Sequence, residues 1–433
     1  MKNGYHPLRS WPRIFLWTHV LGVIGFYLTL WLRTMPDKED RVAPLPPPPA
    51  SRTRPQLPEV SIIVPARNEE RNIRRCVTSL LEQDYDNYEV IVVDDGSTDH
   101  TGRILDELAE THPQGKRLWV LRLNDLPPGW AGKPHAIHKG TQEAHGEWLL
   151  FTDADTWHAP NALRSAMTQA LAEQVDLFTM DSTQELPSFW DRVLMPMAFL
   201  GVSMLYPPRK VNDPASAVAV ANGQYILIRR RVYDLIGGYA RPDLRATLLD
   251  DRDLAHVVKA TGFRLRFVDG RGLLRVHMYH GLNDIWRGWR KNAFLGNRGG
   301  VPFLLLQLLG LPLIAVIPFL LPLLTGLPRE RSNINARAIG GSEAALAAAL
   351  EIAPLLAYRT WLNLRLGMGA RRGFLYALTH PLAALMFDGI LAQSMWRVLT
   401  GKGVDWRGRQ YRRAQRGDTA DLARQKQAMF HET

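Results

Sequence analysis

Carboxylates gather in this sequence where short apolar runs stop. Trp148-Leu149-Leu150-Phe151-Thr152 leads into Asp153-Ala154-Asp155. The run Glu89–Val93 leads into Asp94-Asp95-Gly96-Ser97-Thr98-Asp99, and Val60–Val64 leads into Pro65-Ala66-Arg67-Asn68-Glu69. Such runs read as buried strands, so each polar cluster is delivered at a strand end. On an extended chain Asp153 and Asp155 point the same way. With diphosphate oxygens they suit Mg²⁺ or Mn²⁺, which prefer oxygen and accept partial ligation by protein. Asp before a helix is also a common cap, which is the structural alternative. Asp94-Asp95-Gly96-Ser97 reads as a tight turn. An Asp there can also accept from the imide N–H of a uracil-like base, and the two readings are compatible.

Lys133 opens a helical stretch in Ala131-Gly132-Lys133-Pro134. An ammonium, a helix dipole and free amides together favour a phosphate. Leu248-Leu249-Asp250-Asp251-Arg252-Asp253-Leu254 puts three acidic residues among four at another helix start. A helix dipole favours acidic residues there, but capping needs fewer. The chemical reading is a general base facing the metal.

The elements that must position these groups follow from periodicity. Val60–Val64, Glu89–Val93, Leu118–Leu123 and Trp148–Thr152 predict strands. Glu69–Gln83, Thr101–Thr111, Pro134–His145 and Asn161–Glu173 predict helices. Alternation of this kind predicts an α/β domain with a mostly parallel sheet covered on both faces. Ligands of such sheets bind at the carboxyl ends of strands, near the switch in strand order.

VSIIVPARNEERNI, VVDDGSTD, GWAGKPHAIHKG, LLFTDAD and LLDDRDLA, in this order from Val60 to about Phe267, resemble the family 2 glycosyltransferases of GT-A fold. MYHGLNDIWRGWRKN at Met278–Asn292 and VDWRGRQY at Val404–Tyr411 resemble the membrane-bound branch that glycosylates hopanoids, carotenoids and related lipids. The resemblance implies a Rossmann-like GT-A domain with one N-terminal and several C-terminal membrane helices. It implies that Pro65, Arg67 and Glu69 line the base pocket, that Asp95 with Asp94 holds the base or ribose, and that Lys133 contacts the nucleotide. Asp153 and Asp155 match the family's Asp-x-Asp, one near the ribose and the other on the metal. Asp251 matches the catalytic base, and Asp250 stands where Glu is usual. The Gln-x-x-Arg-Trp motif of processive synthases is not found; Trp286-Arg287-Gly288-Trp289-Arg290 lies about there without matching.

The implied reaction moves a sugar from a nucleotide diphosphate to a lipid hydroxyl. Asp251 takes the hydroxyl proton as the oxygen attacks, and one base with direct attack predicts inversion. A polyprenyl-phosphate glycosyltransferase and a non-catalytic nucleotide-binding membrane protein are the two alternatives.

Composition agrees with a folded, membrane-bound chain. Its 433 residues are 46% hydrophobic, which excludes disorder as the main state and allows two or three domains. With Gly 34 and Cys 1, collagen-like and disulfide-scaffold classes are excluded. Cys76 is the single cysteine, so no internal disulfide forms. The formal net charge of +11 suggests an anionic partner, which by charge alone is nucleic acid, a phosphorylated ligand or anionic lipid. Nucleic acid is not expected.

Ile14–Leu32 is long enough to span a bilayer, with Trp11, Trp17, Tyr27 and Trp31 near its ends. No small-residue cleavage site follows, so it reads as a retained anchor. Val301–Pro328, Ser342–Leu362 and Phe374–Trp396 are further apolar segments, and Lys402–Arg416 is basic. The expected plan is an anchor at 1–33, a Pro-rich linker at 34–58, the catalytic domain at 59–297, a membrane region at 298–398 and a basic cytosolic tail at 399–433. The protein is expected to be integral to the cell membrane with its catalytic domain in the cytosol. Val193–Tyr206 is uncharged and too short to span comfortably. A buried core helix is the structural alternative, but Pro196 and Gly201 argue against a regular one, so the segment is expected to dock on the membrane and guide the lipid. Met197, Leu200 and Trp289 are the candidate acceptor residues.

Overall fold

The apolar stretch near the N-terminus forms α1 (Trp11–Thr34), in which Arg13 and Arg33 lie at the ends. The computed structural model describes residues 11–35, 57–296, 300–326, 340–400, 402, 404–406 and 409–411. Most of the expected linker and the end of the basic tail lie outside the described residues.

The alternating segments then build the α/β domain: β1 (Val60–Ala66), α2 (Ile73–Leu81), β2 (Tyr88–Asp94), α3 (Thr101–Thr111), β3 (Leu118–Arg122), α4 (Gly132–Glu143) and β4 (Trp148–Phe151). A second stretch adds β5 (Thr156–His158), α5 (Ala162–Ala172), β6 (Leu177–Met180), β7 (Thr183–Gln184), α6 (Phe189–Leu205), α7 (Pro208–Asn212), β8 (Ile226–Arg229), α8 (Arg230–Leu235), α9 (Pro242–Arg245), α10 (Asp250–Ala260), β9 (Leu265–Val268) and β10 (Leu274–Val276).

Seven of these strands form one sheet in the order β3-β2-β1-β4-β8-β6-β9. All run parallel except β8, which is antiparallel to β4 and to β6. A smaller sheet has the order β5-β10-β7. In β1, Ile62 and Val64 join the core on one face and Ile63 the core on the other. Both faces are therefore buried, as parallel sheets require. Register sets the carboxyl ends of β1 and β2 level, with Ala66 opposite Asp94, while β4 ends at Phe151 opposite Ile63 and its chain runs on toward Asp153. The chain leaves β1 for β2 on one side and places β4 on the other, so the strand-order switch sits beside β1. Helix α4 packs so closely there that a Cβ on Gly140 would come within 2.7 Å of Ile63 Cγ2.

Helix α2 starts at Ile73, later than the periodicity predicts. Asn68 takes a left-handed φ of 54°, and Glu69–Asn72 form a turn closed by Asn72 N–H donating to the Glu69 carbonyl at 2.9 Å.

The rest of the chain is helical: α11 (Leu282–Gly296), α12 (Gly300–Ala315), α13 (Ile317–Gly326), α14 (Gly341–Arg365), α15 (Ala370–Ala377) and α16 (His380–Leu399). A hairpin of β11 (Val404–Trp406) and β12 (Arg409–Tyr411) follows. Helices α1 and α14 are each long and apolar enough to cross a membrane. The pairs α12–α13 and α15–α16 are bent by 49° and 61°.

One sequence expectation is corrected here. Val193–Leu205 belongs to a regular helix, α6, that runs through Pro196 and Gly201 and is capped by Tyr206. Pro196 removes the amide that would serve the Arg192 carbonyl. Arg359 of α14 lies against this turn and donates from Nη2 to the Val193 carbonyl at 2.6 Å, with the Arg192 carbonyl at 3.5 Å. The helix is not an exposed docking segment. Met197 and Leu200 are 3% and 6% exposed, packed among the C-terminal helices and α1.

Candidate active site

The three strand ends meet over one cavity of about 640 Å³. Pro65, Arg67, Glu69, Asp95, Lys133, Asp153, Asp155, Asp250 and Asp251 all contribute to its wall. The loops after β1 and β2 hold each other in place. Asp95 N–H donates to the Ala66 carbonyl at 2.9 Å, and Arg67 Nη1 donates to the Asp95 carbonyl at 2.5 Å. Asn68 Oδ1 accepts from the Thr98 amide at 2.8 Å. Asp94 differs from its neighbour. Its Oδ1 accepts from the Ser97 amide at 2.9 Å and closes the turn at Gly96, whose φ is +68°. It does not line the cavity, so the turn reading applies to Asp94 and the cavity position to Asp95.

Lys133, in the first turn of α4, is the electrostatic centre. Its Nζ lies 2.7 Å from Asp153 Oδ1 and 3.2 Å from Asp250 Oδ2. Burial pulls its pKa down, but Asp153, Asp250 and Asp251 outweigh that and hold it above the ordinary lysine range. Asp251 faces the opposite balance. Burial first, then repulsion from Asp250, pushes it up to about 6 against the pull of Lys133. Its oxygens accept from the Gly223 amide at 3.1 Å and the Arg252 amide at 2.7 Å. These bonds fix the carboxylate and leave it further lone pairs for a proton.

Residues 61–237 match the family model described as glycosyl transferase family 2. The chain carries a family 2 glycosyltransferase domain. The 4,4'-diaponeurosporenoate glycosyltransferase of Staphylococcus aureus strain USA300 is 25% identical over 362 residues, covering 81% of this chain and 88% of that protein. Among solved structures, mannosyltransferase PcManGT from Pyrobaculum calidifontis, in complex with GDP-Man and Mn²⁺, is 21% identical with a TM-score of 0.49 and covers 89% of this chain and 97% of its own. S. aureus TarS 1-349 in complex with UDP-GlcNAc is 16% identical with a TM-score of 0.38, covering 83% of this chain and 97% of its own.

The glycosyltransferase cavity also contains residues that no motif marked. Gly223 is one: a Cβ there would come within 2.9 Å of Lys133 Nζ and 3.3 Å of Asp251 Oδ2. Beside it, Asn222 and Gln224 are tied together, with Asn222 Nδ2 donating to Gln224 Oε1 at 3.3 Å. Trp289, Lys291 and Asn292 of α11 complete the wall. Met197 and Leu200 do not line it; their helix presents Ala198, Phe199 and Val202 instead. A helical-spacing argument could have found Phe199 and Val202, had α6 been read as regular.

The donor set for a metal is all oxygen. Among the described residues no three or more His, Cys, Asp or Glu side chains close on one point. Asp153 and Asp155 offer the oxygen donors that a hard divalent cation takes, and an ion held by these two would need further oxygens, such as those of a nucleotide diphosphate, to complete its coordination.

Proposed function

We propose that this chain is a membrane-bound inverting glycosyltransferase that moves a sugar from a nucleotide diphosphate to a hydroxyl of a lipid, of the hopanoid or carotenoid kind. One observation carries the reading: the cavity that holds the carboxylates continues between apolar walls. Phe199 and Val202 of α6, Phe303 of α12, Leu362 of α14 and Phe387 and Leu391 of α16 line its other part. A soluble acceptor has no use for such a wall, whereas a lipid buries its body there. The matched relative acts on a carotenoid acid, which supports an apolar acceptor.

The chain's residues divide the work. Pro65, Arg67, Glu69 and Asp95 surround the base and ribose, and Asp153 lies toward the ribose and diphosphate. Lys133, at a helix N-terminus, binds the diphosphate and stabilises charge as it leaves. Mg²⁺ or Mn²⁺ on Asp155 and Asp153, when bound, neutralises the same charge. Asp251 takes the proton of the acceptor hydroxyl while that oxygen attacks the anomeric carbon from the side opposite the leaving group. The apolar helices excluding water favour lipid attack over hydrolysis.

The protein is placed by this reading in the cell membrane, with the donor site facing the cytosol where nucleotide sugars are made. The test is transfer by the purified full chain from UDP- or GDP-sugars, with lipid extracts of cells lacking and carrying the gene compared by mass spectrometry. A sugar-modified lipid present only with the gene is expected. Unchanged lipids together with no turnover of any nucleotide sugar would sink the reading.

A further inference from the structure

Helix α11 is held in one rotation by contacts on several sides. Ile285 is fully buried. Gly288 lies against the ring of Tyr279, where a Cβ would come within 2.4 Å of the ring edge. Trp289 sits with its ring 6.4 Å from Phe199 of α6 and 6.0 Å from Phe387 of α16. Trp286 Nε1 and Arg290 Nη1 both donate to Gln393 Oε1, at 2.8 and 3.0 Å. Locked in this way, α11 turns Lys291 and Asn292 onto the cavity wall.

The position is a junction. Through Trp289 the helix touches α6 and α16, two of the elements that build the apolar wall. Through Lys291 it faces the carboxylates, whose charges act on the ammonium in the order Asp250, Asp251, Asp153, with Lys133 opposing them. In the functional reading above, the diphosphate already has Lys133, which α4 supplies. A lipid whose body lies along Phe199 and Phe387 brings its polar end to Lys291.

Resting on the functional reading above, we propose that Lys291 binds the oxygen-bearing end of the lipid acceptor and holds its attacking oxygen against Asp251. The ammonium N–H donates to one lone pair of the hydroxyl oxygen. A second lone pair forms the new bond to the anomeric carbon. The hydroxyl proton passes to Asp251, and the bond from the anomeric carbon to the diphosphate breaks, with its electron pair leaving on the nucleotide. Burial, with Lys133 adding to it, brings Lys291 down to about 8 despite the carboxylates, which keeps it charged at neutral pH while easing its desolvation by an incoming lipid.

The experiment uses the full chain in detergent with Lys291→Met and Lys291→Arg, a lipid acceptor that the wild type glycosylates, and the nucleotide diphosphate that it releases. Loss of a charged hydrogen bond predicts that Lys291→Met lowers kcat/KM for the acceptor by about tenfold to a hundredfold. Nucleotide affinity measured by calorimetry with Mn²⁺ should stay within about twofold, which also shows that the variant is folded. Lys291→Arg should recover most of the loss. Unchanged acceptor kinetics in Lys291→Met would overturn the assignment alone, as would a tenfold or greater loss of nucleotide affinity, which would put Lys291 on the donor. Donor hydrolysis without any lipid product from the wild type overturns the functional reading and this assignment with it.

Discussion

Asp251, the proposed base, has its pKa pushed up to about 6 by burial and by Asp250. It is protonated below that pH and free to accept above it, so turnover should rise with pH through about 6 and then level. A rate profile of the purified enzyme between pH 5 and about 8 checks this; a flat profile would remove Asp251 from the proton path. Asp251→Asn should lower turnover by about two to four orders of magnitude, with nucleotide binding retained. If Asp250→Asn is the crippling change and Asp251→Asn is mild, the two roles are exchanged. Gly223 gives a steric prediction at the same place. Gly223→Val introduces a branched side chain where even a Cβ would lie 2.9 Å from Lys133 Nζ, so activity should be lost with little change in melting temperature. Chelation by EDTA should abolish transfer, and added Mn²⁺ should restore it. Full activity in EDTA would leave Asp155 without its proposed ion.

At the scale of elements, the strand ends were legible because buried parallel strands are near-continuous apolar runs and the carboxylates follow them directly. Lys133 was legible because Gly-Lys-Pro marks a helix start. Lys291 was not: it lies in a polar, aromatic segment whose inward face depends on Gly288 fitting Tyr279 and Trp289 fitting between Phe199 and Phe387. Gly223 was hidden for a similar reason, since its closeness to Asp251 joins two segments 28 residues apart. The reading of α6 failed because a helix can run through proline when distant groups support the turn, and here Arg359 arrives from a distant part of the chain to bond the neighbouring Val193 carbonyl. Its consequence is testable. Met197 is core, so Met197→Ala should cost about 2–5 kcal/mol of stability, seen as a lower melting temperature in detergent, with the loss of transfer and of donor hydrolysis in parallel. A selective loss of lipid transfer at unchanged stability would return Met197 to the acceptor path.

The whole molecule constrains how the chain crosses the membrane. Helices α1 and α14 run in the same direction: Arg13 pairs with Glu343 at 3.0 Å, His19 with Glu351 at 2.6 Å, and the Tyr27 and Tyr358 rings lie 6.1 Å apart. The C-terminal end of α14 is at the catalytic domain, where Arg271 Nη1 donates to the Arg365 carbonyl at 2.9 Å. The start of α14 is therefore at the far face, beside the start of α1. The chain must reach that face after α11, and α12–α13 takes it there: Phe303 and Gln307 line the cavity, while Leu321 packs with Trp17, Val20 and Ala347. After α14 the chain is back on the catalytic side. Helix α16 keeps to that side, since Phe387 and Leu391 line the cavity, Gln393 binds α11, and the hairpin that follows lies against α11. We propose from these contacts that the bent pair α12–α13 is one kinked crossing and that α15–α16 enters and returns. In a Cys76→Ser background, cysteines placed at Arg13 and Gly341 should react with a membrane-impermeant maleimide from the face opposite the catalytic domain. A cysteine at Lys402 should react from the catalytic face. Labelling of Gly341 and Lys402 positions from one and the same side of sealed vesicles would overturn this arrangement.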